Sequence, residues 1–436
     1  MNGTHDDRPV ARIAEGVEAV ETAEGSRGGV PGAPPRRARA TDLFQIPAFR
    51  RLWIGTLVSS FGLWSERLAV SWFVFETTGS VLLTGLVATA QYAQNMIFGP
   101  VAGAISDRYP RNRIIAAAAL AKVCTLLAIT GLVRLETPPL VPLFIVITLS
   151  AVGGTFTTAS LQTLAGDIAG AARRASATSL IWSGQRAVAA VGALASGLLI
   201  GWAGASWSLL LSAVMLAVAS MIYRGVVDPR TRRSGGGASL IAETLEGLQM
   251  VRHQRMLATL LMLAAAAEIF GFSYVALLPA LAERVLGVGA FGFGALSGAA
   301  SVGAVTATVA LAALGSRARH GRLLIGVFAT FGCLLIGLGA SRHYPLSLAI
   351  AVGLGACTAL VDTLELIMLQ AAVDDRLRGR ALGAWNAAFG LGWIGPLALG
   401  AIADAAGLSV AYTIAGCALL AIGAGTAIAA PRLRSA

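Results

Sequence analysis

From about Leu52 onward the chain is a series of long apolar runs separated by short polar turns. They cover residues 50–75, 81–106, 113–133, 140–164, 177–202, 206–224, 255–281, 291–314, 321–341, 345–371, 380–403 and 408–430. A bilayer's hydrocarbon core takes about 20 helical residues, and no water-soluble core buries twelve runs of that length. The charge content agrees: 13% of the 436 residues are charged and 56% are hydrophobic, whereas soluble chains run nearer ~25% charged. Mean hydropathy is +0.74. In lipid a helix satisfies its own backbone hydrogen bonds. The expected fold class is therefore an all-α membrane protein with 12 transmembrane helices.

The arginines set the expected orientation. With the N-terminus inside, 21 arginines flank the runs on the inner side, from Arg50 and Arg51 to Arg432 and Arg434. Only Arg134, Arg284 and Arg342 fall outside. Both termini are thus expected to be cytoplasmic, in a multi-pass protein of a bacterial plasma membrane. The net charge of +11 is spread over these turns rather than gathered into a patch, so no nucleic-acid partner is expected. Residues 1–40 are rich in Gly, Ala, Pro, Arg and Glu with no apolar period, as in a disordered cytoplasmic tail. They are not a signal peptide, since the first long apolar run starts too late. The expected organisation is an N-terminal six-helix bundle over 41–226, a cytoplasmic linker over 227–254 and a C-terminal six-helix bundle over 255–430. Within the linker, Ile241–Met250 can lie on the membrane surface as an amphipathic helix.

The two halves repeat weakly. A shift of 203 residues sets Trp182 on Trp385, Gly192 on Gly395, Gly197 on Gly400, Gly204 on Gly407 and Arg173 on Arg376. A shift of 209 sets Arg108 on Arg317 and Arg113 on Arg322. Duplicated six-helix halves are a common transporter plan, with the substrate site between them.

The turn after the second run reads Gly103-Ala104-Ile105-Ser106-Asp107-Arg108-Tyr109-Pro110-Arg111-Asn112-Arg113. This resembles the G-x-x-x-D-R-x-x-R-[RK] signature of the major facilitator superfamily. Phe49-Arg50-Arg51-Leu52-Trp53, Thr77-Thr78-Gly79-Ser80 and Asp375-Arg376-Leu377-Arg378-Gly379-Arg380 are similar to the branch of enterobactin-type siderophore exporters and macrolide efflux proteins. The resemblance implies the major facilitator fold, alternating access, and proton-driven efflux of a small organic molecule (a drug, siderophore or secondary metabolite). It also implies a conformational gate at Gly103, Asp107, Arg108, Arg111 and Arg113. Three departures stand out. Ser316 replaces the Asp in the second copy of the loop, Gly192-Ala193…Gly197 lacks the proline that Gly395-Pro396…Gly400 retains, and the fourth run has no arginine.

Charges inside apolar runs are costly and tend to be functional. Glu268 lies about 14 residues into its run, ~20 Å of helical rise and so near the midplane, with no basic neighbour in sequence; it is the first proton-coupling candidate. Asp362 and Glu365 are three apart and share a helix face; they repel unless one is protonated or a cation intervenes. Glu66 is the fourth proton-coupling candidate. It adjoins Arg67 at about 100° around the helix, so the two cannot reach one partner. Lys122 is expected to find its partner on the second or the fourth run. Arg186 can hold an anion or a carboxylate. Gln91, Gln94 and Asn95 share a face, as do Thr155, Thr158 and Gln162. Arg67, Arg186, Gln91, Gln94, Asn95 and Gln162 are the substrate-cavity candidates. Aromatic residues such as Trp64, Phe272, Tyr274 and Trp385 can line a pocket for an amphipathic guest or serve as packing.

No catalytic residue, metal set or cofactor is expected. There is no G-x-x-x-x-G-K-[ST] phosphate loop, and Cys124, Cys333, Cys357 and Cys417 each sit singly in apolar runs. The expected partners are a small-molecule substrate, protons and lipid, with the chain a monomer. The rival to proton-driven efflux is proton-coupled uptake of a nutrient by the same fold.

Overall fold

Glycine ends the first long helix. Gly79 adopts a left-handed φ of 64° and donates its backbone N–H to the Phe75 carbonyl. Ser80 then caps the next helix, its hydroxyl accepting from the Leu83 N–H at 3.2 Å. Such turns punctuate a chain that is helical throughout the described residues. The computed structural model describes residues 40–170, 173–229, 255–314, 319–373 and 378–429. The expected tail, the Ile241–Met250 helix and the Asp375–Arg376 turn lie outside these residues.

The helices are α1 (Pro47–Thr78), α2 (Val81–Arg108), α3 (Arg111–Val133), α4 (Leu140–Ala169), α5 (Arg174–Ala203) and α6 (Ala205–Arg224). Then come α7, which starts as Arg255–Ala266, followed by α8 (Gly289–Leu314), α9 (His320–Ala340) and α10 (Tyr344–Ala372). Helix α11 starts as Arg378–Phe389, and α12 covers Leu408–Ala429. Two of them are broken. Helix α7 passes through a π-helical Ala267–Phe272, an α-helical Tyr274–Ala280 and a second π segment Leu281–Val285. Helix α11 passes through a 3-10 turn, Gly390–Trp393, before resuming as Ile394–Ala406. Gly390, Gly392 and the Gly395-Pro396 pair account for that break.

Among the described residues ten helices, α3 to α12, are long and apolar enough to cross a membrane. Helix α1 is 32 residues long with Glu66 and Arg67 in its middle. Helix α2 carries two shorter apolar stretches, Val81–Gln91 and Ile97–Ser106. Large apolar side chains such as Leu149, Val191, Met221 and Val309 remain exposed, as they do on a lipid-facing surface.

The described residues from Leu43 onward form one unit. Within it α1 packs on α5 and α6, α3 on α4 and α6, and α2 on α4. Among the later helices α8 packs on α10, α9 on α10 and α12, and α11 on α12. Tyr274–Ala280 of α7 packs on α1 and α2, and the two most extensive pairings between the first six helices and the last six are α5 with α8 and α2 with α11. Both depend on the absence of side chains. A Cβ on Gly294 of α8 would lie 2.7 Å from the Gly197 Cα of α5, and one on Gly85 of α2 would lie 2.2 Å from the Pro396 carbonyl oxygen of α11. Gly85 and Gly294 are themselves 209 residues apart, so the two seams are copies of one contact. The other repeat appears in the turns. Gly204 (φ 91°) and Gly407 (φ 97°) are each a one-residue break between consecutive helices.

The seams lie toward the end of the molecule that carries Gly79, Gly204 and Gly407. At that end Asp404 of α11 receives three hydrogen bonds from the start of α2. They come from the Ser80 hydroxyl (2.7 Å) and the Val81 and Leu82 backbone N–H groups (2.9 Å each). Arg284 donates to the Gly79 carbonyl and lies 5.0 Å over the Phe75 ring. At the opposite end, Arg111 pairs with Asp167 while its backbone N–H donates to Asp228 at 2.8 Å. Asn112 reaches the Val226 carbonyl at 2.9 Å, and Arg51 the Gly225 carbonyl at 3.1 Å.

Candidate central cavity

Below the packed seams the helices part around a cavity of about 240 Å³. Its wall comes from α1, α2 and α5 on one side and from α7, α8, α10 and α11 on the other. The broken region of α7 supplies Phe272, Ser273 and Tyr274. The polar groups on the wall include Arg67, Gln91, Arg186, Thr358 and Asp362, and the aromatic ones include Trp64 and Phe293.

One ion pair crosses this space. Arg186 Nη2 of α5 lies 3.1 Å from Asp362 Oδ2 of α10, with the two side chains 26% and 27% exposed. Arg67 takes a different partner: its Nε donates to Gln91 Oε1 at 3.1 Å, and its guanidinium lies 4.9 Å over the Trp64 ring. Glu66, the adjacent residue, leaves the cavity altogether. It is buried with Lys122 of α3 and Ser150 of α4, paired with the lysine and accepting the Ser150 hydroxyl at 2.8 Å. Lys122 Nζ also donates to Ser150 Oγ at 3.2 Å. The 100° between consecutive residues sends one charge into the wall and the other into the first six helices.

Behind the wall lie two more carboxyl groups. Glu268, in the first π segment of α7, is 2% exposed, and among the described residues neither of its oxygens has a hydrogen-bond partner. Asp362 and Glu365 both lie within electrostatic reach of it. Glu365 is buried and accepts from Trp385 Nε1 at 3.3 Å. Glu268 sits in a π segment, which inserts an extra residue into the turn and is a frequent mark of functional sites.

The remaining candidates are placed as follows. Gln94 is buried, its side-chain oxygen without a partner among the described residues, and Gln162 is exposed outside the cavity lining. Asn95 and Asp107 lie on α2 with side chains outside the described residues. Gly103 is half-buried, Arg108 and Arg113 are exposed, and Arg111 is buried against Asp167. Sequence reasoning missed Ser150, Phe293 and the α2 cap formed by Asp404; a serine or phenylalanine inside an apolar helix carries no signal of its partner. Among the described residues no group of three or more His, Cys, Asp or Glu side chains could hold a metal ion.

The family profile described as transmembrane secretion effector matches residues 40–435. The chain belongs to that family. This secretion-effector chain also has the fold of solved transporters of the major facilitator superfamily. A bacterial homolog to the human lysosomal transporter Spinster, in an inward-facing and unoccupied conformation, superposes with a TM-score of 0.67 at 14% identity, covering 92% of this chain and 97% of that one. Peptide transporter POT in complex with sulfate gives 0.68 at 13% identity, covering 88% and 94%. Nucleoside transporter NupG gives 0.69 at 11% identity, covering 87% and 98%. A comparison with curated proteins finds no match. Family and fold are those of multi-pass membrane transporters rather than enzymes.

Proposed function

We propose that this secretion effector exports a small organic molecule by alternating access, driven by inward proton flow. In this reading α1 and α2 also cross the membrane, giving twelve spans in two six-helix halves with both termini in the cytoplasm. The arginine-rich end carrying Arg111 then faces the cytoplasm, and the end carrying Gly79 faces outside. The glycine seams and the Asp404 cap close the outer end, while the cavity belongs to the inner side.

The observation that carries the proton coupling is Glu268. Charge on a carboxyl group buried to 2% exposure is expensive. Loading and unloading a proton there therefore carries a large energy change. Asp362, within its electrostatic reach, is held by Arg186 across the two halves. A proton arriving among Glu268, Asp362 and Glu365 alters the charge balance that the cross-half pair sits in. The family description, secretion effector, favours the outward direction over uptake.

Inverted membrane vesicles test this reading. Three probes with one apolar body cover the charge classes: naphthalenesulfonate, naphthalenemethanol and naphthyltrimethylammonium. An acid-inside gradient should drive accumulation of at least one of them, and Glu268→Gln should abolish the gradient dependence with the protein still inserted. Gradient-driven accumulation only in right-side-out vesicles would establish uptake instead.

A further inference from the structure

We infer that the cavity selects an amphipathic organic anion, with Arg67 as the group that receives its acidic head. The inference rests on the cavity being the transport site and adds the chemistry of what enters it.

The charge on the wall is unbalanced. Among the described residues two guanidinium groups, Arg67 and Arg186, and a single carboxylate, Asp362, line the cavity. Arg186 and Asp362 neutralise each other at 3.1 Å. Among the described residues Arg67 has no acidic partner, only the neutral Gln91 amide and the face of Trp64. Its sequence neighbour Glu66 could have served, yet it is committed to Lys122 and Ser150 on the far side of α1. Glu268 and Glu365 are absent from the lining.

A half-buried guanidinium facing a cavity carries five donors, and Gln91 takes one of them. A carboxylate or sulfonate can accept two of the rest in a fork. A cation entering the same space would meet an uncompensated positive charge, and a neutral guest would leave that charge unanswered. The remainder of the wall suits the body of such a molecule. Trp64, Phe272, Tyr274 and Phe293 supply aromatic faces, and Leu68 and Leu278 supply aliphatic ones. Gln91 and Trp64 also fix the Arg67 plane before the guest arrives, which reduces the ordering cost of binding.

The test uses the purified full-length chain without a gradient, so it is independent of coupling and direction. Thermal unfolding is followed with naphthalenesulfonate, naphthalenemethanol and naphthyltrimethylammonium, on wild type, Arg67→Gln and Arg67→Lys. The sulfonate should raise the unfolding midpoint of wild type most. Arg67→Gln should weaken sulfonate binding about tenfold or more, the size of a lost charged hydrogen bond, and Arg67→Lys should restore part of it. Equal or greater stabilisation by the cation or the neutral alcohol overturns the inference. So does an unchanged sulfonate response in Arg67→Gln, or no sulfonate response in wild type. Because wild type alone discriminates among the probes, the outcome holds even if a variant folds poorly. Gradient-driven transport of the cation would leave the exporter reading standing while removing this one.

Discussion

Arg186 and Asp362 stand 3.1 Å apart in the cavity wall, and through them α5 is bonded to α10. Each side chain keeps about a quarter of its surface exposed in the cavity, so the pair is weaker than a fully buried one. That suits a contact broken in every cycle. Asp362→Asn is expected to keep a near wild-type thermal midpoint in detergent while gradient-driven probe flux falls about tenfold, a barrier change of ~1.4 kcal/mol. Wild-type flux in Asp362→Asn would make the pair incidental.

The Glu66–Lys122–Ser150 cluster should behave in the opposite way. Both charged side chains are under a tenth exposed, and removing one partner strands the other at a cost of about 3–5 kcal/mol. Lys122→Met should sharply lower the yield of monodisperse protein and its unfolding midpoint. The double change Glu66→Gln with Lys122→Met should recover much of both. A fully stable Lys122→Met protein would show that the lysine is not a structural partner.

The glycine seam between α5 and α8 leaves no room for a side chain. A Cβ on Gly294 meets the Gly197 backbone at 2.7 Å, and such overlap must be relieved by moving the helices apart. Gly294→Leu should therefore disfavour closure at that end. In a background with all four cysteines replaced, a reporter cysteine at Ser71 in the cavity should react faster with an impermeant maleimide added from the Gly79 side. Unaltered reactivity would mean the seam can tolerate the added bulk.

Asp404 acts on the same end through charge. It accepts the Ser80 hydroxyl and two backbone N–H groups at the start of α2, where a helix favours an anion. Asp404→Ala loses these only in the closed arrangement, so it should shift the population toward opening rather than unfold the chain. A loss of ~1.4 kcal/mol is a tenfold shift, readable in the same Ser71 labelling assay. Identical labelling in Asp404→Ala and wild type would mean the cap does not bear on closure.

Much of the helical plan is visible in the sequence because apolar run length and arginine placement act locally. So is the short list of charges inside the runs. What the sequence could not supply is their pairing. Glu66 meets Lys122 across 56 residues and Arg186 meets Asp362 across 176, and helical periodicity is silent on contacts between helices. The 203-residue echo of Gly204 in Gly407 proved to be a repeated turn. Gly292, Gly294 and Gly298 mark their run as a place of close helix approach, but the matching Gly85 carried no signal, because glycine is common in this chain (52 residues). The π segment around Glu268 is likewise invisible to a reading that assumes 3.6 residues per turn.

The measurement closest to the central claim is the sidedness of access to the cavity wall. Ser301, on α8 within the lining, is changed to cysteine in the cysteine-free background. The protein is then labelled with an impermeant maleimide in sealed right-side-out and sealed inverted vesicles. Alternating access requires reaction from both faces, with Gly294→Leu raising the rate from the Gly79 side and lowering it from the other. Reaction from one face alone, indifferent to Gly294→Leu, would contradict the account.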